Sequence, residues 1–359
     1  MIELAQRTGG VFFSGENDLS VPLQKAIDDG DGYYLLGYQP DQATFQSKTD
    51  TAKYHKVSLK VKRPGLTVRS RQGFFGMADS PADDTSRQGQ QMQIAGTLVS
   101  PFSSSDIRVR VTCLYSHSEK EGSVLETLVF FDAHDLNFKE EPDGARSAVV
   151  DIALMAFDED GSPAKQVNKT WTIHVTKNDY EAVLRKGIVY RAYLPVTKTG
   201  PYQLRAAVRD ASNQKLGSAM QFVVVPNLGE GKLTLSGIAM TADPLKDESD
   251  GVPALRIFRP GDNIAYAYEV LNAQAKGGAK PDLETQVRVY RDGHGVFEGP
   301  ASLLNIANDK NEKTLAVEGH FPLTNFPPGQ YLMQIVVSDN LQKDKPRMAT
   351  QTMDFEIRQ

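Results

Sequence analysis

The sequence predicts a mainly β chain, with two tandem β-sandwiches preceded by a short, incomplete α/β piece. Three observations carry this. Short alternating apolar strands fill the chain from Met92 onward. One strand pattern occurs twice at identical offsets. The opening forty or so residues keep a different rhythm, helix, strand, helix, strand, which belongs to an α/β unit with a parallel sheet.

The α/β rhythm comes first. "MIELAQRTGG" reads as a helix end, with Gly9-Gly10 free to take the left-handed conformation that stops a helix. "VFF" is a short strand. "DLSVPLQKAIDDG" is a second helix, capped by Asp18, with Leu19, Leu23, Ala26 and Ile27 on one stripe. "YYLLGYQP", Tyr33–Pro40, is the next strand. Parallel sheets need cover on both faces, and two strands do not make one. The expectation is therefore the end of a larger domain, with Met1 as a truncation point. "VSLKVKRPGLTVR" then alternates as a hairpin, Lys56 to Phe75, turning at Arg63-Pro64-Gly65.

These residues resemble the C-terminal part of the bacterial von Willebrand factor A-related (VWFA-related) family. The shared positions are Leu4, Ala5, Thr8, Gly9 and Gly10, then Tyr33, Tyr34, Leu36, Gly37 and Tyr38. After a spacer come His55, Lys56, Val61 and Lys62, then Val68, Arg69, Arg71, Gly73 and Phe74. The likeness covers residues 1–76. It implies an exported, extracytoplasmic protein. The family's fold binds a divalent metal through Asp-x-Ser-x-Ser, and that motif is absent from this chain, so no metal site carries over.

The hairpin's exposed face is basic: Lys56, Lys60, Lys62, Arg63, Arg69 and Arg71. Two readings stand. The face docks an acidic partner, or it is a solvated face that protects a sheet edge. "MADSPADDTSRQGQQ", 77–91, reads as a polar linker.

From 92 to 226 seven or eight strands are expected, among "MQIAGTLVS", "IRVRVTCLYS", "TLVFFDAH", "SAVVDIALMAF", "NKTWTIHVT", "IVYRAYLPV", "YQLRAAVRD" and "AMQFVVV". Pro142-Asp143-Gly144 and Asp160-Gly161 mark turns, and "NDYEAVLRKG" a helical turn. A second set runs from 227 to 359. Such spacing suggests immunoglobulin-like or fibronectin-like sandwiches. "GPYQLRAAVRD" and "GQYLMQIVVSD" place Gly200/Gly329, Tyr202/Tyr331, Val208/Val337 and Asp210/Asp339 in register. Both tyrosines read as core residues that specify the fold.

Composition bounds the function. A net charge of −5 over 359 residues argues against a nucleic-acid partner. The apolar runs are too short to span a membrane, and "AVVDIALMAF" is broken by Asp151. The N-terminus has no signal-peptide pattern. One cysteine, Cys113, excludes an intramolecular disulfide and sits in an alternating strand as inert packing. His117, Asp132, His134 and Asp135 are the nearest approach to a ligand set, but without metal-ligand spacing they read as a solvated loop. "DEDG", Asp158–Gly161, reads as a hairpin turn, and "DPLKDESDG" as a solvated acidic loop. Asn168-Lys-Thr170 fits a glycosylation acceptor. Trp171 reads as the plug of the first core. No nucleophile elbow or phosphate loop occurs. No catalytic, cofactor or metal residues are assigned. The expected function is non-catalytic contact with a protein or cell-surface partner. The alternative is a carbohydrate-binding or enzyme-accessory module, and a hydrolase or metalloenzyme is the third possibility.

Overall fold

The computed structural model describes Leu36, residues 53–62, Val68, Ser70, 73–76, 87–100, 102–118, 120–243, 253–273, 281–304, 314–341 and 347–359. Apart from Leu36, the expected strands "VFF" and "YYLLGY", both N-terminal helices and the truncation lie outside those residues. Two compact units are present, Met1–Gln91 and Met92–Gln359.

In the first unit, β1 (Lys53–Lys56) pairs antiparallel with β2 (Gly73–Gly76). This corrects the expected hairpin. The alternating stretch from Val57 to Val61 takes no regular structure, and Leu59 and Val61 lie exposed. Alternation alone does not make a strand.

The linker expectation fails at its C-terminal end, because Arg87–Val99 forms helix α1. "MQIAGTLVS" is thus not a strand. Ile94 and Leu98 stand four apart on one helical face, and Leu98 packs with Ala153 and Ala207.

The larger unit is mainly β. Its first half holds β3 (Val109–Ser118), β4 (Gly122–Phe131), β5 (Lys139–Glu140), β6 (Arg146–Phe157) and β7 (Pro163–Val175). After these come helix α2 (Tyr180–Lys186), β8 (Ile188–Val196), β9 (Gly200–Asp210) and β10 (Leu216–Val225). One sheet runs β10-β9-β6-β5, with β7 also on β6. The other runs β3-β4-β8. Tyr115, Leu125, Val129 and Phe131 from one sheet meet Val150, Ile152, Leu154, Leu204 and Val208 from the other in a single core.

The second half holds β11 (Thr234–Leu235), β12 (Ala239–Asp243), β13 (Ile257–Phe258), β14 (Asn263–Leu271) and β15 (Leu283–Arg291). They are followed by β16 (His294–Glu298), β17 (Ser302–Leu303), β18 (Thr314–Pro322), β19 (Gly329–Asp339) and β20 (Arg347–Ile357). β14 is flanked by β11, β12 and β18. The second sheet runs β13-β20-β19-β15-β16, with β17 on β15. Their core gathers Ile264, Tyr268, Val289, Met333, Ile335 and Phe355.

The echo is structural as well as textual. Both repeats are single eleven-residue strands that open on a glycine with positive φ, 118° at Gly200 and 155° at Gly329. In each, the tyrosine hydroxyl donates to the carbonyl four residues back: Tyr202 to Lys198 at 3.0 Å, Tyr331 to Pro327 at 2.6 Å. In each, the closing aspartate is buried.

The two halves meet along β3. Its outward backbone groups would be an open edge, and other parts of the unit close them. Tyr115's carbonyl accepts from the Gly237 amide at 2.8 Å. Arg256 donates to the Val111 carbonyl at 3.5 Å and to the Thr112 hydroxyl. Thr112 donates to the Ala254 carbonyl at 3.0 Å. Leu114 belongs to the second core and Leu271 to the first.

Candidate functional site

The basic face is visible in part. Lys56 ends β1, and Lys60 and Lys62 follow in the irregular stretch. All three are exposed. They do not share one strand face, because residues 57–61 form no strand. Arg63, Arg69 and Arg71 lie outside the described residues.

The structure separates the suggested ligand set. His134 Nδ1 lies 2.9 Å from Asp132 Oδ1. Arg108 bridges Asp132 at 3.0 Å and Asp135 at 2.9 Å. Burial pushes the Asp135 carboxyl upward, but hydrogen bonds from the Arg108 side chain and backbone outweigh it and hold Asp135 below the usual carboxylate range. His117 stands at the other end of β3, bonded to Ser123 at 3.1 Å. The β3–β4 register pairs His117 with Ser123 but Val109 with Phe131, the neighbour of Asp132. A cation at Asp132 would have to displace Arg108. Among the described residues, no group of three or more His, Cys, Asp or Glu is placed to hold a metal ion.

Asp158–Gly161 is a turn, with the Gly161 amide bonded to the Asp158 carbonyl at 2.9 Å. Cys113 is fully buried, and burial pushes its thiol up to about 12, which leaves no thiolate at neutral pH. Trp171 corrects the sequence reading. It is half-buried at the edge of the first core, against Phe131 and Tyr190, and does not fill its centre. Asn168 is exposed on β7. Asp243, from the acidic loop, meets His320 at 2.9 Å. Residues 244–250 lie outside the described set.

A surface the sequence reading missed lies on β10. Val223 and Val225 turn toward the core, so Phe222 and Val224 point outward, 72% and 62% exposed. Their register partners are Gln203 and Pro201 on β9. On the same face Arg205 donates to the carbonyls of Leu98 and Ser100 at 2.8 and 3.1 Å, pinning the end of α1. Val99 and Phe102, at that end, are also exposed. The available signal was "FVVV", which is apolar on both alternations. Such a run marks either a strand covered on both faces or one with an open apolar face.

No helix among the described residues is long and apolar enough to cross a membrane. No family model matches the sequence, and no curated protein does. Among solved structures, the chain is similar to a transglutaminase of red sea bream at 9% identity and TM-score 0.21, over 78% of this chain and 34% of that one. It is similar to a β-glucuronidase of Bacteroides uniformis at 11% and 0.26, over 66% and 26%. A protein of Corynebacterium diphtheriae described as membrane-anchored matches at 14% and 0.21, over 70% and 59%. The chain spans less than two-thirds of each of those proteins. With scores this low, neither their folds nor their activities transfer to it.

Proposed function

We propose that this chain is a non-catalytic, exported protein whose two sandwiches, immunoglobulin-like in style, make contacts with a protein partner at a cell surface. The N-terminal piece is read with it as VWFA-related. One observation carries the reading: Phe222 and Val224 stand side by side on a sheet face, open to water. Large apolar side chains grouped on an open face mark interaction sites in soluble proteins. Burying a Phe and a Val is worth about 3–6 kcal/mol together.

The test uses the full chain as bait against an exported-protein fraction. The Phe222→Ser/Val224→Ser variant should lose the partner, with affinity about 100-fold or more weaker, and keep its melting temperature. A partner retained at full affinity by that variant would overturn the reading.

A further inference from the structure

The outer face of the second sandwich carries a different surface. The ladders place Tyr290 of β15, Leu332 of β19 and Asp354 of β20 in one row across three strands. The next row holds Glu298 of β16, Arg288, Gln334 and Thr352. Two open grooves meet at Tyr290. One, about 480 Å³, is lined by Arg288, Tyr290, Val296 and Glu298 among others. The second, about 390 Å³, is lined by Tyr290, Asp292, Gln330, Leu332, Gln334 and Asp354 among others. Both fall at the lower end of the range for small-molecule sites.

The electrostatics select the ligand class. Each charged group in these grooves already has an opposite partner. Arg288 pairs with Glu298 at 3.1 Å, Asp354 with Arg256 at 3.1 Å, and Asp292 with Arg291 at 3.7 Å. No net charge remains to attract an anion or a cation. The unspent capacity is neutral. Tyr290 donates its hydroxyl to Gln334 Oε1 at 3.2 Å and keeps its own lone pairs. The Gln334 Nε2 and the whole Gln330 amide carry no hydrogen bond among the described residues. Planar amides with donors and acceptors, beside an aromatic ring and a Leu, suit a ligand with many hydroxyls and one apolar face. A pyranose ring is that ligand. The apolar share is Leu332, Val296, Phe297 and one tyrosine ring, interleaved with Arg288, Glu298, Gln330, Gln334 and Asp354, and a protein partner favours a drier centre than that.

Part of the lining is held in place. Arg288 donates to Gln286 Oε1 at 3.0 Å, and Gln286 donates to the Gly299 carbonyl at 2.8 Å. These bonds fix Arg288 and Gln286, so those two side chains have little entropy left to lose on binding, whereas Gln330 is still to be ordered by the ligand. From the charge-balanced lining, the free amides and the two grooves that flank one ring, we infer that this face binds a linear, uncharged polysaccharide, with a sugar ring stacked at Tyr290. The site is separate from the Phe222 stripe and stands or falls independently of it.

The test titrates the full chain with gluco-, xylo-, manno- and chito-hexaose, a released branched protein-linked glycan, and a sulfated hexasaccharide, by calorimetry and saturation-transfer NMR. At least one neutral linear hexaose should bind with Kd below about 1 mM. Tyr290→Ala and Gln334→Leu should each weaken it about 10-fold or more, worth about 1.4 kcal/mol, with unchanged melting. Phe222→Ser should leave it unaltered. The inference is overturned if no neutral linear hexaose binds at about 5 mM. It is equally overturned if only the branched or sulfated ligand binds. Full binding by both Tyr290→Ala and Gln334→Leu would sink it as well.

Discussion

The side-chain amide of Gln221 faces the backbone of Cys113 as a neighbouring strand would. The Cys113 amide donates to Gln221 Oε1 at 2.9 Å, and Gln221 Nε2 donates to the Cys113 carbonyl at 3.0 Å. One side chain from β10 thus satisfies both backbone groups of an edge residue in the opposite sheet. Gln221→Ala leaves both without partners. Each orphaned backbone group costs about 1–3 kcal/mol, partly recovered where water enters. We expect a loss of about 2 kcal/mol in denaturant unfolding. A loss below about 0.5 kcal/mol would mean the pairing carries no net stability.

Gly237 lies against the same edge. A Cβ there would come within 2.8 Å of Leu114 Cα and 2.9 Å of the Tyr115 amide nitrogen. Both are backbone atoms and cannot rotate away. Gly237→Ala should therefore cost about 1–3 kcal/mol and split one calorimetric transition of Met92–Gln359 into two. Gly96, exposed in α1 with nothing within 4 Å of its Cβ position, is the contrast. Gly96→Ala should raise stability by about 0.5–1 kcal/mol. Equal and small effects at both positions would remove the seam as a source of cooperativity.

The paired tyrosines give a matched test. Tyr202→Phe and Tyr331→Phe each delete a hydroxyl that donates to a carbonyl four residues back. Each should cost about 1 kcal/mol. Tyr331 should cost more, because its oxygen also accepts from Arg291 Nη1 at 3.1 Å. Reversal of that order in chemical denaturation would break the argument.

Glu269 supplies a pH dependence. Its Oε2 is buried with no hydrogen-bond partner among the described residues, and burial raises its pKa above the usual glutamate value. The folded state therefore binds the proton more tightly than the unfolded chain does. That stabilisation is present at low pH. It is lost as pH rises from the ordinary glutamate range through the raised folded value. Glu269→Gln should be more stable than the parent at neutral pH, and the gap should close on acidification. A gap that stays constant with pH would mean Glu269 keeps an ordinary pKa.

The strands were legible where alternation met a core. β9 and β19 run as the repeated motif predicts, because each inward residue of "YQLRAAVRD" and "YLMQIVVSD" has a buried place waiting. The turn glycines were legible too, since Gly144 and Gly161 take positive φ as a tight turn requires. α1 was not. "MQIAGTLVS" fits a strand by alternation, and only Ala153 and Ala207, more than fifty residues away, decide in favour of the helix. Alternation likewise misled at Val57–Val61, where no strand forms and Leu59 and Val61 stay exposed. The grooves at Tyr290 were hidden for a related reason. A tyrosine among Gln286 and Arg288 reads as an ordinary solvated face until β19 and β20 bring Gln334 and Asp354 beside it.

The seam along β3 also fixes a distance. With Gly237, Arg256 and Ala254 seated on the first sandwich, no slack linker separates the Phe222 stripe from the Tyr290 grooves. A surface that presents protein and polysaccharide at the matching spacing would engage both at once. The second contact would then form at a high effective concentration, and two weak affinities would multiply. At any other spacing the stiffness that helps would forbid the second contact altogether. If both proposed contacts form, the seam would act as a ruler, selecting targets by how their components are laid out as well as by what they are made of.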